Sequence, residues 1–196
     1  MLLSTLWAAP GTAHELPRER TLLVQAGVDR LEMMVIYLEP PGRSVELLMS
    51  RFDFDGDGEL LGEEADLAGR EWIARALGGL QFEVEGEKPR PEMPDIKFER
   101  TSNGGLSAAV YARWDLPALD PDRVRRIHVR LHRNHETVPT ELNARPGLRT
   151  AIARLDLPPR FVGAPRLPVL RPGESATIFS RLDDQPTPAD DARQRK

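Results

Sequence analysis

The chain has 196 residues, 40% of them apolar and 30% charged, with a net charge of −4. That is the composition of one globular domain with a real core, and its charge balance carries no basic footprint for nucleic acid. There is no cysteine, which excludes disulfides, thiolate metal sites and cysteine nucleophiles.

Residues 1–13, MLLSTLWAAPGTA, are short and apolar and end in small residues, as a secretory signal does. Cleavage is expected after Ala13, leaving His14 first, although the usual positively charged start is missing. No run reaches the roughly 18 apolar residues of a membrane span.

Two strands follow, TLLVQAG and DRLEMMVIYLEP, with a turn at Gly27-Val28-Asp29. The second is apolar on both faces (Leu31, Met33, Val35 and Met34, Ile36, Leu38), which predicts a central, buried strand. Pro40-Pro41-Gly42 stops it. Val45, Leu48, Met49 and Phe52 then recur at helical spacing. So do Ala65, Ala68, Trp72, Ile73, Ala76 and Leu77, until Gly78-Gly79 ends the second helix.

Alternation returns at Leu80, Phe82 and Val84, a half-buried strand. A proline-rich turn, EKPRPEMP, leads to the strand DIKFER and a hairpin signal at Asn103-Gly104-Gly105. LSAAVYARWDL follows, with Ala108, Val110, Ala112 and Trp114 on one face. In VRRIHVRLHRN, Ile127, Val129 and Leu131 alternate with His128, Arg130 and His132. LRTAIARLDL gives a strand with Ala151, Ala153 and Leu155 on one face. Residues 158–173 hold five prolines and read as an irregular connection. ESATIFSRL adds a last strand, and residues 183–196 read as a disordered polar tail.

Seven to nine short strands and one helical pair predict a mainly β (α+β) fold. The expected architecture is an antiparallel, Ig-like β-sandwich spanning 14–182, with a helix–loop–helix inserted at 43–78. A lone insertion of this kind must dock on the sandwich, dimerise or stay mobile, and docking is expected because Trp72 and Ile73 need burial.

Between the two helices lies DFDGDGELLGEE, Asp53 to Glu64. Carboxylates stand at positions 1, 3 and 5 (Asp53, Asp55, Asp57), and Gly58 at position 6 permits a sharp turn. Glu59 at position 7 would offer its backbone carbonyl, Leu60 is an apolar anchor, and Glu64 at position 12 would give two oxygens. Six acidic groups and no Lys or Arg fall in these twelve residues, so their repulsion opposes compaction unless a cation is present. The helix, acidic loop and second helix resemble an EF-hand over about residues 43–78. The resemblance implies one Ca2+ held by Asp53, Asp55, Asp57, Glu59 and Glu64. Leu61 at position 9 departs from the pattern, which implies a weaker site. EF-hands usually pair, and there is no second DxDxDG here. Ala13-His14 and Phe52 to Glu64 also resemble extracytoplasmic bacterial domains, some of them attached to metal-permease-like membrane proteins. Transport does not carry over, because no membrane segment is present.

Four histidines, His14, His128, His132 and His135, are candidate ligands for copper, zinc or nickel. His128 and His132 would share a strand face about 13 Å apart at about 3.3 Å per residue, too far for one ion on a straight strand. Arg123, Arg125, Arg126, Arg130 and Arg133 read as a solvated face, with an acidic partner or anionic lipid as the alternative. No nucleophile elbow, triad or phosphate loop is present, so no catalytic residue is assigned and no enzyme is expected. The expectation is a periplasmic or secreted calcium-binding protein, its ion structural, serving as a binding or interaction module. The alternative is a periplasmic transition-metal-handling or transport-accessory protein using the histidines.

Overall fold

A computed structural model describes residues 18–89, 94–120, 122–133, 138–161 and 167–183. The expected signal and almost all of the expected tail lie outside these residues. The chain is mostly β, with two sheets and two α-helices among the described residues.

The first hairpin is β1 (Glu19–Ala26) and β2 (Arg30–Glu39), paired from Glu19↔Leu38 to Ala26↔Leu31. Helices α1 (Arg43–Phe52) and α2 (Glu63–Ala76) come next. Then follow β3 (Leu80–Val84), β4 (Asp95–Arg100), β5 (Leu106–Asp115) and β6 (Arg125–Leu131). The chain continues through β7 (Thr140–Pro146), β8 (Thr150–Asp156), β9 (Val169–Leu170) and β10 (Ser175–Leu182).

The larger sheet has the order β4-β5-β2-β1-β7-β9, and the smaller one β3-β6-β10-β8. Alternate residues of both sheets enter one core. β2 and β5 supply Leu31, Val35, Tyr37, Ala108 and Val110, while β6 and β10 supply Ile127, Val129, Leu131 and Ile178. The helices cover the part of the large sheet's inner face that lies over β4 and β5. There Trp72 of α2 stands edge-on to Tyr37 and Phe98, with ring centroids 6.3 Å apart in both pairs. Gly69 makes this approach possible, since a Cβ there would lie 2.4 Å from Ile96 Cγ2 of β4.

Four expectations need correction. The pairing is not wholly antiparallel, because β1 and β7 run parallel from Arg20↔Thr140 to Ala26↔Pro146. β7 is an additional strand without a sequence signal, since TELNARP has too few apolar residues to alternate clearly. β2 is central, but only one of its faces is fully buried, and Met34, Ile36 and Leu38 remain half-exposed. On β8 the core-facing residues are Ile152 and Leu155 rather than the predicted Ala151, Ala153 and Leu155. A register shift explains this: Ile178 pairs with Leu155 and Ser180 with Ile152, so Ala153 is skipped and the alternation changes phase.

One buried polar group joins helix to sheet, and a second lies within the large sheet. The Arg20 guanidinium donates to Thr140 Oγ1 at 2.7 Å, Ala76 O at 3.1 Å, Gly78 O at 2.7 Å and Val138 O at 2.9 Å. Two of these acceptors lie at the C-terminus of α2, where unpaired carbonyls favour a cation. Burial lowers the Arg20 pKa to about 10, so it stays charged at neutral pH. Tyr37 donates its hydroxyl to Glu39 Oε2 at 3.1 Å, and Glu39 accepts from Arg18 Nε at 3.2 Å. Burial first, and the Glu39 charge second, push the Tyr37 pKa up to about 12.

Arg20→Met is expected to cost about 2–4 kcal/mol in urea unfolding, because four acceptors, three of them buried, lose their donor. Arg20→Lys should recover little, since one ammonium cannot reach four acceptors spread over a fork. Tyr37 gives a pH signature. Its folded pKa is raised, so its stabilisation is complete below the unfolded value near 10 and is lost as pH climbs toward 12. Alkaline unfolding followed by tyrosinate absorbance should show Tyr37 ionising together with loss of structure, and Tyr37→Phe should remove that part of the pH dependence.

Candidate metal centre

The acidic loop begins where α1 ends. The Asp53 N–H still donates to Met49 O at 2.9 Å, closing the last helical turn. The Asp53 carboxylate then becomes the hub of the loop, accepting from Gly56 N at 2.7 Å and Gly58 N at 3.1 Å. The pattern repeats one step on. Asp55 Oδ1 accepts from Asp57 N at 3.1 Å, and Asp57 Oδ1 accepts from Glu59 N at 2.7 Å. Each aspartate therefore folds the backbone just after it, as short acidic side chains do in turns.

Gly56 and Gly58 hold φ of 74° and 84°, a region that L side chains adopt rarely. Nothing lies within 4 Å of the Cβ position at either, so backbone conformation and not space demands glycine. The result brings ligand oxygens of Asp53, Asp55 and Asp57 within 4.8 Å of one another. Like charges at such spacing repel by roughly 1–3 kcal/mol per pair between bulk water and an effective dielectric of 20.

The other two expected ligands differ from these three. Glu64, the second residue of α2, lies outside that cluster of oxygens, but its Oε1 accepts from Phe54 N at 2.6 Å and Asp55 N at 3.4 Å. Position 12 is thus tied to positions 2 and 3, a closure that the spacing alone did not reveal. The Glu59 side chain is exposed and does not join the cluster. Glu63, Glu64 and Asp66 fill the first turn of α2, where the helix dipole favours them.

Beneath the loop Leu60 is 3% exposed and belongs to the common core. A groove of about 270 Å³ is lined by Gly58, Glu59 and Leu60 on the loop side and by Phe98, Glu99 and Arg100 of β4. The loop is therefore seated on the edge strand of the large sheet.

The donor set suits a hard cation. It offers carboxylate oxygens from three aspartates, with no imidazole or thiolate among the clustered ligands. Histidines do not supply a second centre among the described residues. His128 Nδ1 is 3.1 Å from Thr177 Oγ1. His132 lies beyond the end of β6, its backbone N–H donating to Gly79 O at 2.7 Å and its Nε2 buried without a hydrogen bond. His14 and His135 lie outside the described residues.

The arginine cluster also divides. Arg123, Arg126, Arg130 and Arg133 are exposed as expected, but Arg125 is 5% exposed. Its guanidinium donates to Gly27 O and Val28 O at 3.0 and 3.1 Å and to Pro117 O, so it pins the β1–β2 turn and is not part of a solvated face. A groove of about 740 Å³ beside Trp114, lined by Val84, Leu119 and Arg123 among others, is marked by no motif in the sequence. No protein-family model matches the chain, and no curated protein matches it.

Proposed function

We propose that the chain is a calcium-binding protein whose one Ca2+ is held by an EF-hand-like loop inserted in an Ig-like β-sandwich. The observation that carries this reading is the convergence of Asp53, Asp55 and Asp57, with Glu64 drawn back to the start of the same loop. Asp53, Asp55 and Asp57 would supply side-chain oxygens, Glu59 its backbone carbonyl and Glu64 its carboxylate. The ion would cancel the repulsion among these groups.

The role we assign is structural. Leu60 and α2 already connect the loop to the core, so ordering the loop would stabilise the surface formed by β4 and the helices. Extracellular sites of this kind bind at roughly 10⁻⁴ to 10⁻³ M. With free calcium about ten times Kd, linkage contributes about 1.4 kcal/mol, or roughly 3–6 °C in Tm for a domain of this size. The setting we propose is periplasmic or secreted, from the signal-like composition of residues 1–13.

Isothermal titration of the full chain with CaCl2 should give one site, and Glu64→Gln should weaken it at least tenfold while leaving the far-UV spectrum unchanged. Absence of heat up to several millimolar calcium, with no rise in Tm, would sink the proposal. For the export claim, the protein expressed in a bacterial host should be recovered from the periplasm or medium with His14 as its first residue by intact mass. Recovery of the uncleaved chain from the cytoplasm alone would refute it.

A further inference from the structure

The outer faces of the two sheets differ in chemistry. On the small sheet, Gln81, Glu83, Arg126, His128, Arg130, Ser175, Thr177 and Phe179 point away from the core; this face is polar apart from Phe179, whose ring Arg154 covers at 4.0 Å. On the large sheet, the outward residues of its three central strands include an apolar group, Leu23, Met34, Ile36, Leu38, Ala109 and Tyr111, beside the polar Thr21, Gln25, Glu32, Ser107 and Arg113. These are half-buried or, for Tyr111, 41% exposed.

Register makes them contiguous. One row across the face reads Thr21, Ile36, Ala109, and the next reads Leu23, Met34, Tyr111. Charges stand at the two ends of this apolar band, and Asp95, Lys97 and Glu141 flank it on β4 and β7. Glu19 and Glu99 lie in the row of Leu38 and Ser107, whereas Arg113 and Arg145 lie in the row of Gln25 and Glu32. The two end rows are six residues apart, about 20 Å at about 3.3 Å per residue.

We propose that this face is the contact between two copies of the chain. The twofold axis lies in the interface, perpendicular to the strands. That rotation preserves the strand order across the face and reverses the strand direction. It lays Leu23, Met34 and Tyr111 of one copy over Thr21, Ile36 and Ala109 of the other. It also brings Glu19 beside the partner's Arg145 and Glu99 beside the partner's Arg113, each pair occurring twice. A twofold axis along the strands would instead bring together rows of the same kind, glutamates facing glutamates. The charge pattern therefore selects one isologous arrangement.

Size sets the strength. From β7 to β4 the face spans four inter-strand spacings, about 19 Å, by about 20 Å along the strands. At roughly 380 Å² per partner this is about half the ~800 Å² per partner of a standard interface, so a weak, reversible association is expected.

Sedimentation of the full chain from about 1 to 300 μM tests this, run both with calcium and with chelator, because pairing through the acidic loop would depend on the ion. The expected result is a reversible dimer in both buffers. Ile36→Asp, checked for native circular dichroism, should weaken it at least tenfold. Glu19→Arg alone should weaken it about threefold or more, and adding Arg145→Glu should restore it. A monomer throughout the range would overturn the proposal. So would a dimer that is indifferent to Ile36→Asp, a dimer lost on chelation, or a Glu19→Arg/Arg145→Glu pair that fails to restore association.

Discussion

One buried guanidinium connects the parts of this molecule. Arg20 sits on β1 at the centre of the large sheet, and its four acceptors belong to β7, to the segment just before it and to the end of α2. An unpaired buried arginine would be costly; this one is tolerated because each hydrogen bond ends on a carbonyl or hydroxyl that itself needs a partner. The helix dipole adds a favourable field where a carboxylate would otherwise be expected. The same residue therefore satisfies the exposed end of a helix and fixes that helix relative to the strands.

The acidic loop inherits its position from this arrangement. α2 is held at its C-terminus by Arg20, along its length by Trp72 and the close approach of Gly69 to Ile96, and at its N-terminus by the turn that carries Glu64. Once α2 is placed, Glu64 is placed. Leu60 under the loop adds an apolar fastening to the same core. Local chemistry folds the loop, through aspartates that accept their own backbone amides, and packing decides which way it faces.

Much of this was legible in the sequence because it rests on short-range periodicity. β1, β2, β5, β6 and β10, both helices and the Asp53–Asp57 turn follow from alternation, helical spacing and glycine placement. What was not legible depends on residues far apart in the chain. Arg20 reads as an ordinary surface residue until Ala76 and Val138 arrive beside it. Arg125 looks like one of a basic cluster until the Gly27 and Val28 carbonyls point at it. The phase change on β8 comes from its pairing with β10, and the parallel partner of β1 is a polar strand with no pattern of its own. In each case the information lies in a tertiary neighbour.

The parallel pair also shapes how the chain folds. β1 can zip onto β2 across a three-residue turn, a local event. Its other edge waits for Thr140 to Pro146, about 120 residues later, so a central strand stays half-paired until most of the chain is available. Closing so long a loop is entropically unfavourable and places this sheet among slow-folding, non-local topologies. During that interval β1 presents an open edge with Leu22 and Val24 uncovered, which leaves the incomplete chain open to strand-to-strand aggregation.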